Sequence, residues 1–352
     1  MPSRRNRYLG TLLLLIASVC AGAAGASLII YSAVGTVEVS SVRSVPERVL
    51  PAPDPGRVAS AARAAVSFYR ARDAGTPLEA AFLPSDLVGN GISVTADGWL
   101  ISTIAVFSDT NRLIAVYADG ATAQVDPRSV VRDDATGLAF ARAPIERRTV
   151  AGFGDDTLLA PGEFVYLPAV PGMRTIPVSR VRALPGSGRA DLVESTERLA
   201  RRLILASPGI PGTPVVNSAG EIVAVVESDG AAVPAPFVAP IMRGVFVDGR
   251  VVRPSAGINY LSLDLLTADP PRGVRGNGAL VLGSSRARGV LRGSAAEAAG
   301  IREGDVITHV ERDTVDADTT LAELMQDYEP GATVNLTFFR SGNEQKTSLT
   351  IR

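Results

Sequence analysis

The sequence predicts a mainly β protein that ends in a small α+β module, and two patterns predict it. Between residues 87 and 250, short β-rich runs are punctuated by the pairs Asp97-Gly98, Asp119-Gly120, Asp229-Gly230 and Asp248-Gly249. Asp-Gly accepts the positive φ angles of tight hairpins, so the flanking runs at 92–94, 100–101 and 245–247 read as paired strands. Beyond residue 250, two helix-start signals stand among alternating strands, at Ser294-x-x-Glu297 and Thr320-x-x-Glu323.

Taken in order, the chain opens with Arg4, Arg5 and Arg7 ahead of an uncharged apolar run over residues 9–34. At about 26 residues the run exceeds the ~20 that cross a bilayer as a helix, so residues 1–34 read as an arginine cluster and a single-pass anchor. Cys20 sits inside this run as a small apolar residue. An Ala-x-Ala pattern within residues 21–26 leaves a cleaved secretory signal as the alternative. The arginines stay in the cytoplasm, which places the remainder on the extracytoplasmic side of the membrane. Residues 35–55, with Pro46, Pro51, Pro53 and Pro55, read as a semi-extended spacer.

Residues 56–250 carry many short strands and few helical patterns, which suggests a β-barrel or sandwich. The helical exceptions are an Ala-rich stretch near 58–65 and a second stretch near 191–201. Residues 251–352 form the α+β module. Ser294 caps a short helix closed by Gly300, and Thr320 caps another that carries Leu321, Leu324 and Met325. Val334, Leu336 and Phe338 alternate as an inward strand face, and Ser341-Gly342-Asn343 makes the return turn.

Composition excludes several functions. Lys+Arg (35) nearly cancels Asp+Glu (36), which argues against a nucleic-acid binder driven by phosphate attraction. A single cysteine excludes an intrachain disulfide framework and a multi-cysteine zinc site. The chain has one histidine, His309, and one lysine, Lys346; nearly all its basic charge is arginine, which cannot act as a general base. His309 reads as an ordinary strand residue and Lys346 as a solvated charge. Gly89-x-Gly91 does not complete a dinucleotide fingerprint, and no cofactor or metal is expected.

Four ungapped stretches carry a resemblance. GNGISVTADGWLISTIAVF (residues 89–107) resembles the strand pair that bears the catalytic histidine in HtrA-type serine proteases. RDDATGLAFAR (132–142) is similar to the segment with the orienting aspartate, GFGDDTLLAPGEFVYLPAVPG (152–172) to the family's L-G-D-S-D segment, and SPGIPGTPVVNSAGEIVAVV (207–226) to the loop of the nucleophilic serine. The resemblance implies two six-stranded chymotrypsin-like barrels with a cleft between them. In the C-terminal module, RVVRPSAGINYLSLD (250–264), SAAEAAGIREGDVITHVERDTV (294–315) and PGATVNLTFFRSGNEQKTSLTI (330–351) resemble the family's PDZ domain.

The departures fall on the chemistry. The histidine position is Ala105, the aspartate position Gly137 and the serine position Pro211. A serine protease needs a hydroxyl, an imidazole to take its proton and a carboxylate to orient the imidazole. Proline also lacks the N–H that the nucleophile residue gives to the oxyanion hole, leaving Gly209 as a remnant of that loop. Ser102, Thr103, Ser207 and Thr213 lie near the expected cleft, but the β-region has no histidine or lysine to activate them.

The expected function is therefore that of a membrane-anchored pseudoprotease that binds extended or C-terminal peptides through its PDZ domain, as sensor, adaptor or regulator. By resemblance, Ala256, Gly257, Ile258 and Asn259 form the carboxylate-binding loop, and Leu321, Leu324 and Met325 line the side-chain pocket. Two alternatives stay open: a divergent endopeptidase of envelope quality control, and an inert subunit co-assembling with active HtrA-like proteases. Partners implied by the resemblance are peptides, HtrA-like proteases and a possible homotrimer; nucleic acid is not among them.

Overall fold

A computed structural model describes residues 54–71, 82–146, 148–150, 152–170, 172–184, 192–266, 277–284 and 287–352. The expected anchor at 9–34 lies outside the described residues. Among the described residues, no helix is long and apolar enough to cross a membrane.

The first helix, α1 (Pro55–Ala62), starts where sequence rules put a start: Asp54 accepts the N–H groups of Gly56 and Arg57, and Pro55 occupies the first turn. It is followed by β1 (Ala65–Arg70), β2 (Leu87–Ser93), β3 (Trp99–Thr103), β4 (Leu113–Tyr117), β5 (Thr122–Gln124), β6 (Asp126–Asp133) and β7 (Leu138–Arg142). These seven strands form one sheet in the order β5-β4-β1-β2-β3-β7-β6. Its core holds Val66, Phe68, Leu100, Phe107 and Leu113, with the Phe68 and Phe107 rings edge-to-face at 5.1 Å. The expected closed six-stranded barrel is here a seven-stranded sheet.

The second half does close. It is built from β8 (Phe164–Pro168), β9 (Met173–Ala183), β11 (Arg202–Leu205), β12 (Pro214–Val216), β13 (Ile222–Ser228) and β14 (Ala231–Pro234). The order β11-β14-β13-β12-β8-β9 is completed by pairing of β9 with β11. Closure removes the unpaired edges that would otherwise invite association.

Two local expectations change. Residues 245–247 lie in a helix, α2 (Met242–Asp248), and Gly249 ends it in the left-handed conformation at φ 64°. The Asp-Gly pair serves as a helix stop here, because a C-terminal cap requires the same positive φ as a hairpin. Phe246 then packs against Trp99 (5.6 Å) and Phe140 (6.2 Å). The stretch near 191–201, expected as helix, contains the strand β10 (Val193–Ser195).

The C-terminal sheet takes β15 (Asn259–Ser262), β16 (Ala279–Val281), β17 (Val306–Val310), β18 (Asp313–Thr314), β19 (Thr333–Arg340) and β20 (Asn343–Thr350). Two short helices flank it, α3 (Ala295–Ala298) and α4 (Leu321–Met325), capped by Ser294 and Thr320 as expected. Val334, Leu336 and Phe338 are buried on one face of β19. The order β10-β15-β16-β17-β19-β20 puts β10 at its edge. The expected division at 250/251 is therefore crossed: a strand from within residues 56–250 belongs to the sheet of the C-terminal module.

The two modules are joined by charge as well as by strand exchange. Arg253 grips the buried Asp133 through Nε (2.9 Å) and Nη2 (2.7 Å), and Nη2 also reaches the Phe237 carbonyl. Both carboxylate oxygens are satisfied, the condition under which a buried ion pair is tolerated.

Candidate functional site

Two places concentrate the expected functional residues. The first is the cleft where Ala105, Gly137 and Pro211 converge. Ala105 sits in the turn after β3, and the Ile104 N–H donates to the Gly137 carbonyl at 3.0 Å. On the other side, a Cβ placed on Gly89 would stand 2.5 Å from the Val106 side chain and 2.9 Å from the Pro211 carbonyl. The two neighbours of Ala105 thus link the Gly137 backbone on one side and, across Gly89, the Pro211 carbonyl on the other, at a point where only glycine fits at residue 89.

Hydrogen bonds close the cleft from within. The Asn90 N–H donates to the Pro211 carbonyl (2.8 Å), and the Asn90 amide Nδ2 donates to the Thr213 hydroxyl (2.8 Å). Thr213 donates in turn to the Ile210 carbonyl (2.6 Å), and Ser102 donates to the Asn90 carbonyl. Ser67, Asn90, Ser102 and Thr213 are all buried. The N–H groups of Gly212 and Thr213 turn inward to Val226 and Ile210 carbonyls, and Pro211 has none. The Arg174 guanidinium bonds the Pro208 carbonyl and the Ser207 hydroxyl, holding the start of the loop that carries Gly209. The Thr136 hydroxyl, beside Gly137, donates to the Asp133 carboxylate at 2.5 Å, but that carboxylate is already gripped by Arg253; among the described residues no imidazole or amine stands beside a cleft hydroxyl.

Sequence reasoning missed Glu227. A Cβ on Gly137 would lie 2.8 Å from Glu227 Oε1, while Glu227 Oε2 pairs with Arg202 Nε at 2.7 Å. Arg202, itself buried, also donates to the carbonyls of Thr136 and Leu199. Space beside the former aspartate position is thus taken by a glutamate–arginine pair from the second barrel. The contact joins residues far apart in sequence, so no local signal announces it.

The second place is the groove of the C-terminal module. Gly257 has φ +79°, and a Cβ there would stand 2.2 Å from Ser294 Cβ, so the loop Ala256-Gly257-Ile258 depends on glycine at its centre. Asn259 turns aside: its side chain donates to the Arg288 carbonyl at 2.6 Å. Leu321, Leu324 and Met325 are buried on α4. Tyr260, fully buried, accepts the Ala322 N–H at its hydroxyl, which fixes α4 against β15. Burial pushes the Tyr260 phenol well above its usual range.

Ala256, Gly257, Ile258 and Asn259 lead into β15, whereas Leu321, Leu324 and Met325 are buried in the core, and the β15 edge is occupied by the chain itself. β10 pairs antiparallel with β15 in the register Val193↔Leu261, Glu194↔Tyr260, Ser195↔Asn259. The Ala256 and Gly257 N–H groups donate to Glu197 Oε1 at 3.1 and 2.7 Å, and the Ile258 N–H donates to the Thr196 hydroxyl at 3.0 Å. Behind them, Glu194 pairs with Arg201 at 3.3 Å, both nearly buried, and Arg201 reaches the Ala317 carbonyl at 2.8 Å. Burial raises the Glu194 carboxyl, and the Arg201 charge opposes that rise. Glu197 and Thr196 were not legible as site residues, since an acidic residue after threonine is too common to signal a ligand.

Comparison with known proteins agrees with this architecture. The PDZ domain family (PDZ_2) matches residues 274–351. The chain is 28% identical over 279 residues to the "Probable periplasmic serine endoprotease DegP-like" of Rhizobium meliloti (strain 1021), covering 75% of this chain and 53% of that protein. It is 26% identical over 277 residues to the "Serine protease Do-like HtrA" of Lactobacillus helveticus, covering 70% of this chain and 63% of that one. The chain therefore spans about half to three-fifths of the length of these relatives. Among solved structures, "HtrA-type protease AlgW with decapeptide" superposes with TM-score 0.58 at 17% identity, over 84% of this chain and 97% of that one. In fold and domain order the chain is of the HtrA type: a trypsin-like protease fold followed by a PDZ domain.

Proposed function

We propose that this chain is a peptide-binding pseudoprotease of the HtrA type, held at the extracytoplasmic face of a bacterial membrane, and that it recognises carboxyl-terminal peptides without cutting them. The observation that carries the reading is the contrast within one molecule. Ala105, Gly137 and Pro211 supply no imidazole, no nucleophilic hydroxyl and one oxyanion donor fewer, and the carboxylate nearest Gly137 is paired with Arg202, while the three N–H groups of the PDZ loop stand aligned on side-chain oxygens.

Backbone N–H groups in a glycine-containing loop hold a terminal carboxylate, and the strand edge beside them adds the peptide as a further strand. Ala256, Gly257 and Ile258 supply the donors; β15 supplies the edge; Leu321, Leu324 and Met325 shape the pocket side. Supporting the location are the apolar run at 9–34 behind its arginines and the word "periplasmic" in the name of one relative. A sensor, adaptor or regulator of an active protease, alone or as a homotrimer, is the role such a molecule would serve.

The test is a C-terminal peptide display screened against the full chain, with every positive repeated as the carboxamide. Binding that needs the free carboxylate supports the reading. Absence of any carboxylate-dependent binder, including to variants with an opened groove, would sink it.

A further inference from the structure

Resting on the peptide-binding reading, a further feature concerns how the groove is controlled. Residues 193–197 already make the strand and carboxylate contacts expected of a C-terminal peptide. They add a strand antiparallel to β15 at the edge of its sheet, and the Thr196 N–H continues the ladder to the Ile258 carbonyl at 2.9 Å. The chain then turns back, with Ser195 bridging Arg198, so the strand stops where a peptide would end. At that stop, in place of a chain terminus, the Glu197 side chain sets a carboxylate oxygen on the Ala256 and Gly257 N–H groups. The Thr196 hydroxyl takes the third donor, from Ile258.

We propose that residues 193–197 are a built-in surrogate ligand that closes the PDZ groove in cis, and that C-terminal peptides bind by displacing it. The chemistry of the displacing partner follows from the surrogate: a free α-carboxylate to replace Glu197 Oε1, preceded by residues able to run as an antiparallel strand along Asn259, Tyr260 and Leu261. A tethered segment acts at an effective concentration on the order of millimolar. For a surrogate of micromolar intrinsic affinity, the groove is open roughly a thousandth of the time, and a free peptide's apparent dissociation constant rises about a thousandfold.

A brace between modules would show the same contacts but would not compete with peptide, and competition is what the experiment reads. The probe is a fluorescein-labelled synthetic peptide of residues 189–196 ending in a free carboxylate, with its carboxamide as control, titrated by anisotropy into the full chain. Two variants accompany the natural protein: Glu197→Ala, which removes the carboxylate, and Thr196→Pro, which removes both the hydroxyl and the N–H to Ile258. Hydrogen exchange at the Ala256 and Gly257 amides is read in parallel, without peptide. The expected result is weak binding by the natural chain, tightening of tenfold or more in either folded variant, no binding of the carboxamide, and faster exchange at both amides in Glu197→Ala. Equal, carboxylate-dependent affinity in all three proteins would overturn the surrogate while leaving peptide binding intact. Silence in all three, with the variants folded and the two amides exposed, would overturn both.

Discussion

The cleft and the groove descend from the same kind of resemblance, and the structure treats them differently. In the cleft, function depends on side chains, and replacing three of them leaves a scaffold whose interior is then filled by Asn90, Thr213 and the Glu227–Arg202 pair. In the groove, the proposed binding depends on backbone N–H groups, which survive any sequence that keeps the loop conformation. A side-chain site can be lost by three substitutions with the fold intact; a backbone site is lost only by breaking its geometry.

Breaking the link between the two regions should have the largest effect. Arg253→Ala leaves the buried Asp133 carboxylate unpaired, and a loss of about 3–5 kcal/mol in denaturant stability is expected. A loss below about 1 kcal/mol would mean that water replaces the guanidinium and that the regions are only loosely joined.

Glycine substitutions sharpen the contrast at somewhat smaller cost. Gly257→Ala must hold a side chain at φ +79° against Ser294, for about 2–4 kcal/mol and complete loss of peptide binding. Gly212→Ala meets the Asn90 carbonyl at 1.8 Å in the cleft and should cost a similar amount, yet leave peptide affinity of the folded fraction unchanged. Loss of peptide binding in both, measured at equal folded fraction, would contradict the independence of the two sites.

A third region tests the junction through pH. Asp156 is fully buried with neither oxygen hydrogen-bonded among the described residues; burial first, then Asp155 and Glu323, raise its carboxyl from 3.8 to about 6, against the Arg182 charge 3.7 Å away. A carboxyl with a raised native value favours folding while protonated, and that contribution fades as pH climbs from the ordinary value through about 6. Asp156→Asn keeps the neutral form, so it should stabilise the protein by about 3 kcal/mol near pH 8 and make little difference near pH 4. Equal effects at both pH values, in parallel denaturant titrations, would show that the carboxyl titrates normally.

The smallest effect is expected where intuition looks for the largest. Restoring the triad as Ala105→His, Gly137→Asp and Pro211→Ser should leave casein uncut, because the side chain introduced at Gly137 would enter at φ +84° against Glu227. Activity in that triple variant would mean that the cleft lacks only its reactive groups.

Much of this was legible in sequence because it is local. Asp54, Ser294 and Thr320 announce their helices through one side chain and a backbone two or three residues on, and Val334, Leu336 and Phe338 give their strand by alternation. Motif order put Ala105, Gly137 and Pro211 on segments whose neighbours the fold brings together around Gly89. What escaped was set at long range. Residues 193–195 are a strand because β15 offers an edge, a distant influence along the chain that local propensity cannot register. Asp248-Gly249 misled because a helix stop and a hairpin require the same left-handed glycine. Glu227 and Glu197 carry no motif, and only the folded chain shows which backbone each one faces.

The central claim, a protease fold that does not cut, is tested most directly by incubating the purified full chain with denatured casein, alongside labelling by a serine-directed fluorophosphonate. The account predicts no casein fragments beyond those of a protein-free control and no covalent label. Fragments that persist through repurification, together with a labelled residue in this chain, would contradict it and identify the nucleophile at once.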